Sequence, residues 1–359
     1  MSAPSFVAMQ LKQFTPILVV QNYLWFFSVY DDDAHLYTCD VMLLAVDGRN
    51  KIEPGRKQFT MSFMPDSYDK PSLIASFYGF LLFRSRGHAL YIWNPVTQEQ
   101  VTVTAPKIGI FKYEDCGLFF HTPTSEYRIL YTRRYNTAGH NKFYVLSLRT
   151  TVLRKISNCT VSPCTCRPPI ILNDRLHWMA AFEAPCWGQE FPTCLESILL
   201  FKMESEELIT IPHPGSPCCS KERHGTMQLL EMEGQLGLCD FSVSTAEFYL
   251  WVMEDYLNQV WIKRHIISLK PLTSEVCLRS NYDHTFPVEV FNVHHDELLL
   301  ICGSPKRCHY YDLKLKIFRK VGRQHFLNGS GLSRVVPHTN TLASLHTNSF
   351  ISWKVDPER

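Results

Sequence analysis

The stretch Tyr91-Ile92-Trp93-Asn94-Pro95-Val96-Thr97-Gln98-Glu99-Gln100-Val101-Thr102-Val103 decides the fold. Apolar residues run into Trp93. Asn94-Pro95 then opens a turn, because proline presets φ for a turn's second position and an asparagine side chain can bond its own backbone. Beyond the turn, Val101 and Val103 alternate with Thr102 and Thr104, the period of a half-buried strand. The stretch therefore predicts two short antiparallel strands. The pattern recurs at residues 146–156, 201–211 and 311–321, each time with a large apolar residue followed ten positions later by Val or Ile.

The copies keep their distance. Trp93 to Leu146 is 53 residues, Leu146 to Phe201 is 55, and Phe201 to Tyr311 is 110, which is two periods. The copy between them is read at 248–253 and 260–269, with 255–258 as its turn. A second element, an apolar strand, a short turn and another apolar strand, repeats at 73–83, 169–179, 229–238 and 290–300. Its turns are Tyr78-Gly79, Asn173-Asp174, Glu233-Gly234 and His294-His295-Asp296. A period near fifty made of hairpins describes an all-β propeller, in which each unit is a small antiparallel sheet. The second element supplies the inner two strands of a blade. These are covered on both faces, so they run almost continuously apolar. The first element supplies the outer two. Dividing the length by the period gives roughly six or seven blades.

Strands are also predicted at 17–20, 24–30 and 36–41, with the acidic hairpin tip Asp31-Asp32-Asp33 between the last two. The polar stretch 48–71 reads as a loop. A final strand at 349–353 is expected to pair with the N-terminal strands and close the ring, removing exposed sheet edges. Residues 1–14 form a separate N-terminal segment, and the propeller domain spans 15–356.

The bulk numbers agree. Apolar residues make up 45% of the 359 and charged residues 19%, enough to bury a large core. Aromatics at 13% suit pleated packing. The formal charge of +2 gives no basic face for nucleic acid and no membrane-binding surface. No apolar run reaches the ~18–20 residues that span a bilayer. Met1-Ser2-Ala3-Pro4 does not begin a secretion signal, and thirteen cysteines without regular spacing suit a reducing compartment. A cytoplasmic or nuclear, non-secreted protein is expected.

Several segments, taken in order, resemble the F-box-associated domain of large plant F-box protein families. They are 73–103, with Gly79-Phe80-Leu81-Leu82 and Trp93-Asn94-Pro95-Val96-Thr97; Cys116-Gly117-Leu118-Phe119-Phe120 with Ser125-Glu126-Tyr127-Arg128-Ile129-Leu130; Leu176-His177-Trp178; 200–212; and Trp251-Val252-Met253-Glu254-Asp255-Tyr256 followed by Trp261-Ile262-Lys263. The resemblance covers most of 15–322. It implies a non-catalytic module that captures target proteins for ubiquitination within a Skp–cullin–F-box ligase. The F-box that docks the Skp adaptor is not found in this sequence, and Pro4-Ser5-Phe6-Val7-Ala8-Met9-Gln10-Leu11 is similar to the stretch that normally follows one. Coupling to a Skp-type adaptor and cullin is expected only if an F-box is supplied.

No Gly-rich phosphate loop follows a strand, and no Gly-x-Ser-x-Gly elbow is present. Cys159, Cys164, Cys166, Cys186, Cys194, Cys218 and Cys219 cluster along the chain with His177, His213 and His224 nearby. Zinc sites normally pair ligands two to four residues apart on two knuckles. Cys164-Thr165-Cys166 and Cys218-Cys219 do not, so these read as ordinary thiols. Tyr310 and Tyr311 with Cys308 match a copper-radical propeller oxidase in residue type alone. Trp93, Trp178, Trp251 and Trp261 read as core. No catalytic residue, metal ligand or cofactor is assigned. A propeller enzyme of oxidase or hydrolase type is the alternative, as is a structural binder uncoupled from any ligase. Partner binding falls to the polar segments 48–69, 132–141, 184–194 and 215–226, and within them to Trp187, Glu190 and Phe191 as anchors in a loop.

Overall fold

The computed structural model describes residues 17–22, 40–46, 52–55, 71–85, 89–104, 113–133, 141–165, 167–181, 193–215, 221–242, 244–272, 288–294, 296–302, 307–320, 334–338, 344–345, 350–352 and 354–355. Three strands come first: β1 (Ile17–Asn22), β2 (Asp40–Val46) and β3 (Ile52–Gly55). Five blades of four consecutive antiparallel strands follow. Blade 1 holds β4 (Ser72–Phe77), β5 (Phe80–Arg84), β6 (Leu90–Trp93) and β7 (Gln100–Thr104). Blade 2 holds β8 (Tyr113–His121), β9 (Glu126–Arg133), β10 (Asn141–Ser147) and β11 (Val152–Cys159). Blade 3 holds β12 (Ile170–Leu172), β13 (Arg175–Met179), β14 (Ile198–Lys202) and β15 (Glu207–Ile211). Blade 4 holds β16 (Gln228–Met232), β17 (Gln235–Ser242), β18 (Glu247–Asp255) and β19 (Val260–Ser268). Blade 5 holds β20 (Val288–His294), β21 (Glu297–Cys302), β22 (Arg307–Asp312) and β23 (Ile317–Lys320).

A sixth sheet is assembled from both ends, with β24 (Arg334–His338) on one side of β1 and β2–β3 on the other. The expectation of roughly six or seven repeating blades is corrected to five blades of consecutive strands. Length divided by period overcounts because the remaining chain goes into this closing sheet and into edge strands. The closing strand also differs from expectation. β25 (Phe350–Ser352) does not meet the N-terminal strands; it runs parallel to β7, and β26 (Lys354–Val355) runs parallel to β11. The edge of β1 is already taken by β24, so the last strands cover the open outer edges of blades 1 and 2 instead. Within the stretch read as a loop, β3 pairs with β2, placing Pro54 in an edge strand, where a missing N–H is tolerated.

Local sequence explains the repeat. Tyr78-Gly79, Asn173-Asp174 and Glu233-Gly234 have positive φ at both positions, the turn whose twist matches two antiparallel strands. In the outer hairpins one residue takes the left-handed conformation each time: Gln98, Thr151, Glu206, Gln259 and Lys316. Four of these turns close on the same bond, from the N–H of Gln98 to Asn94 O (2.8 Å), of Thr151 to Ser147 O (2.9 Å), of Glu206 to Lys202 O (2.8 Å) and of Lys316 to Asp312 O (2.8 Å). The side chain of Asn94 also accepts from Val96 N at 2.9 Å, and that of Asp312 accepts from Leu315 N at 2.8 Å. Blade 2 escaped the inner-strand repeat because a 3-10 turn, Thr122–Thr124, joins β8 to β9 instead of a two-residue turn.

The core lies between blades. Phe77, Phe80, Phe119, Phe143 and Phe201 are fully buried in one cluster spanning blades 1 to 3, and Phe248, Leu250, Val290 and Leu300 join blades 4 and 5. Second strands such as β5, β17 and β21 are nearly wholly buried, as predicted for inner strands. First strands are less so: β4 alternates and β12 is half-buried along its length. First strands of successive blades approach one another, β4 to β8, β12 to β16 and β16 to β20, and β24 approaches β4, which places them around the axis. Gly117 on β8 is needed there, since a Cβ would sit 3.2 Å from Leu176 and 3.4 Å from Phe77. Trp93 and Trp178 are core as expected, but Trp251 and Trp261 are only half-buried, on blade 4.

Candidate functional site

Connectivity separates the two ends of the propeller. Turns joining first to second and third to fourth strands share one end. Loops joining second to third strands, and connections between blades, share the other. The described residues that flank the candidate segments lie at this second, loop end: Thr132, Arg133 and Asn141, Thr193 and Cys194, Gly215 with Lys221–Thr226, and Gly55 at the end of β3. Trp187, Glu190 and Phe191 lie outside the described residues. So do Asp31-Asp32-Asp33, residues 1–14, Cys166, Cys186, Cys218, Cys219 and His295.

At the loop end, three residues that are far apart in sequence converge. Cys194 opens the 3-10 turn Cys194–Glu196 before β14, His213 follows β15, and His224 sits in the short helix Lys221–Thr226. Their ligand atoms all lie within 4.8 Å of one another. Cys194 Sγ is 3.4 Å from His224 Nε2, and His213 Nε2 is 3.1 Å from the same nitrogen. Both imidazoles are buried and tilted at 72° to one another, so their Nε2 corners meet rather than their faces. Among the described residues this is the only such group of three.

The surroundings hold this group in place. Ser197 is completely buried; its hydroxyl donates to Cys194 O (2.9 Å) and accepts from His213 N (2.8 Å). A capping box between Thr193 and Glu196 fixes the turn that carries Cys194. Linear spacing missed the trio because its members reach it from three different elements. The only sequence signal was the local density of Cys and His, which spacing rules discard.

The other polar clusters are already paired. Glu126 accepts from Ser147 Oγ (2.6 Å), Thr124 Oγ1 (2.9 Å) and Arg128, and Arg128 also pairs with Glu206 of blade 3. Burial alone would raise the Glu126 carboxyl; these donors outweigh it and hold it below the usual carboxylate range. His177 Nδ1 donates to Ile170 O (3.0 Å), so Nε2 accepts from Tyr256 OH (2.5 Å) across blades 3 and 4. Burial lowers His177 to about 4, so it stays neutral. Near the axis, Ser76 Oγ meets His338 Nδ1 at 2.8 Å. These clusters join neighbouring sheets of the ring. Cys308, Tyr310 and Tyr311 are buried in successive or alternate positions of β22, not gathered at one point.

An all-β ring of blades with tight turns at one end and long connections at the other defines a β-propeller. Residues 27–340 match the family described as the F-box associated beta propeller domain, and the chain belongs to that family. No curated protein matches the sequence. Among solved structures, the nidogen/laminin complex is similar at 11% identity and a TM-score of 0.46, over 90% of this chain and 98% of that one. Oligogalacturonate lyase in complex with manganese is similar at 10% and 0.45, over 80% and 71%. The β-propeller domain of the trilobed protease from Pyrococcus furiosus is similar at 10% and 0.38, over 71% and 72%. No helix among the described residues is long and apolar enough to cross a membrane.

Proposed function

We propose that the chain is a non-catalytic protein-interaction module of the substrate-receptor type, which captures a target protein for ubiquitination by a Skp–cullin–F-box ligase. Family membership over residues 27–340 carries this reading. Two further observations support it. The described ends of the long connections lie at one end of a scaffold in which Glu126–Arg128–Glu206 and His177–Tyr256 join neighbouring blades. Leu195, at the foot of the 182–192 connection, leaves 67% of its surface exposed at that end. The binding end is therefore the loop end, with Trp187, Glu190 and Phe191 as its anchors. A Skp-type adaptor and cullin join only where an F-box is supplied.

A fusion tests this. The full chain is joined to an F-box and expressed in cells with tagged ubiquitin. A discrete co-purifying protein should gain ubiquitin, and should lose it when Trp187, Glu190 and Phe191 are replaced together by alanine. Recovery of the same proteins, equally modified, with the triple variant would contradict the reading.

A further inference from the structure

We propose that Cys194, His213 and His224 form a zinc site that fastens the loop end of blade 3 to the start of blade 4. Zinc takes thiolate and imidazole ligands, with Zn–N about 2.0–2.1 Å and Zn–S about 2.3 Å. Tetrahedral angles then put two nitrogens about 3.3 Å apart, and sulfur and nitrogen about 3.6 Å apart. The observed 3.1 Å between the two Nε2 atoms and 3.4 Å between Cys194 Sγ and His224 Nε2 are close to those edges. The third edge is within 4.8 Å.

Tautomer chemistry points the same way. His213 Nδ1 lies 2.7 Å from Pro214 O. A carbonyl only accepts, so Nδ1 carries the hydrogen and the Nε2 lone pair faces His224 and Cys194. A ligating histidine is held in this way, its far N–H donated to a backbone carbonyl. Ser197 is a positioning residue. Its single hydroxyl ties the carbonyl of one ligand residue to the N–H of another, which sets the gap between the Cys194 turn and the strand of chain carrying His213. Two imidazoles and one thiolate suit zinc over magnesium or calcium, which prefer oxygen. Water or one further donor completes the fourth position.

The test uses the purified full chain. After exhaustive dialysis, metal analysis should find one zinc per chain. Competition with a chromophoric chelator should give an affinity that falls about 100-fold or more in Cys194→Ser and His224→Gln, and about 10-fold in Ser197→Ala, the range for a lost supporting bond. Cys159→Ser, a thiol outside the trio, should bind like the parent chain. Cobalt(II) substitution supplies a readout independent of stability. The parent complex should show a thiolate-to-cobalt charge-transfer band, which Cys194→Ser abolishes while the far-ultraviolet dichroism of the fold persists. If the variants do not fold, the parent chain decides alone. Absence of bound zinc together with absence of the cobalt–thiolate band would overturn the site and leave a hydrogen-bonded His–His–Cys cluster.

Discussion

Gln228 on β16 grips the backbone of Val290 on β20 with both ends of its amide. Its Nε2 donates to Val290 O at 2.6 Å, and its Oε1 accepts from Val290 N at 3.1 Å. The side chain thus acts as a peptide group between the first strands of blades 4 and 5, in a buried position where water cannot replace it.

Removing that amide strands two buried backbone groups. Gln228→Ala should cost about 2–6 kcal/mol, since each of the two buried groups left unsatisfied costs about 1–3 kcal/mol. Urea denaturation should show a lower midpoint with an unchanged slope. A midpoint equal to the parent's would mean that the bonds are not made in solution.

Arg128 is the corresponding link between blades 2 and 3. Its guanidinium lies between Glu126 and Glu206, whose side chains are each only 7% exposed. Arg128→Met should cost about 3 kcal/mol, the low end for breaking a buried ion pair, because Ser147 still serves Glu126 and Arg154 still pairs with Glu206. Pairing Arg128→Met with Glu126→Gln should recover part of the loss in thermal melts. Further destabilisation in the double variant would contradict this account of the network.

His177 predicts an acid weakness above the carboxylate range. Its folded value is about 4 and its ordinary value 6.5, so the unfolded chain binds a proton that the folded chain refuses between those values. Stability is therefore unaffected above about pH 6.5 and falls as pH drops toward 4, by up to an order of 3 kcal/mol. Glu126 adds to the loss at the lower edge of this window and beyond it: its contribution is present above 4.5 and is lost as pH falls through its lower folded value. Melting temperatures measured from pH 7 to 4 should slope downward in the parent chain and less steeply in His177→Gln, where His121 and His265, also held below their ordinary value by burial, keep part of the slope. An equal slope in both would assign the effect elsewhere.

Thr151 occupies the left-handed position of the β10–β11 turn at φ 60, where a β-branched residue is strained. Glycine adopts this φ without penalty. Thr151→Gly should stabilise the fold by about 0.5–1 kcal/mol, read as a raised melting temperature, whereas Leu148→Gly next to it should destabilise by emptying a buried site. A lower melting temperature for Thr151→Gly would show that the threonine side chain contributes more than its strain costs.

Much of this fold is legible locally. Asn94, Asp255 and Asp312 announce their turns because the side chain that begins each turn also bonds into it. Phe201 and Tyr311 mark third strands because the period is enforced by blades of equal size. What local pattern cannot carry is closure: nothing near Phe350 specifies that it meets Thr102 on β7, since that partner is chosen by which edges remain open. The same holds for the candidate sites. Cys194, His213 and His224 meet through three separate elements, and the Gln228–Val290 and Arg128–Glu206 links join residues whose proximity exists only once neighbouring blades pack. Each of these is a tertiary relationship that hydrophobic periodicity does not encode.

Which end of the propeller binds is the central point. Leu257, Leu315 and Val96 at the tight-turn end are 87%, 67% and 43% exposed and offer a competing apolar surface. The decisive measurement is the affinity of the captured target for two variants of equal melting temperature, one with Trp187, Glu190 and Phe191 replaced by alanine, the other with Leu257 and Leu315 replaced by serine. Loss of three anchors should weaken binding about 30-fold or more, while the turn-end variant binds like the parent. Full affinity in the loop variant with loss in the turn-end variant would contradict the account.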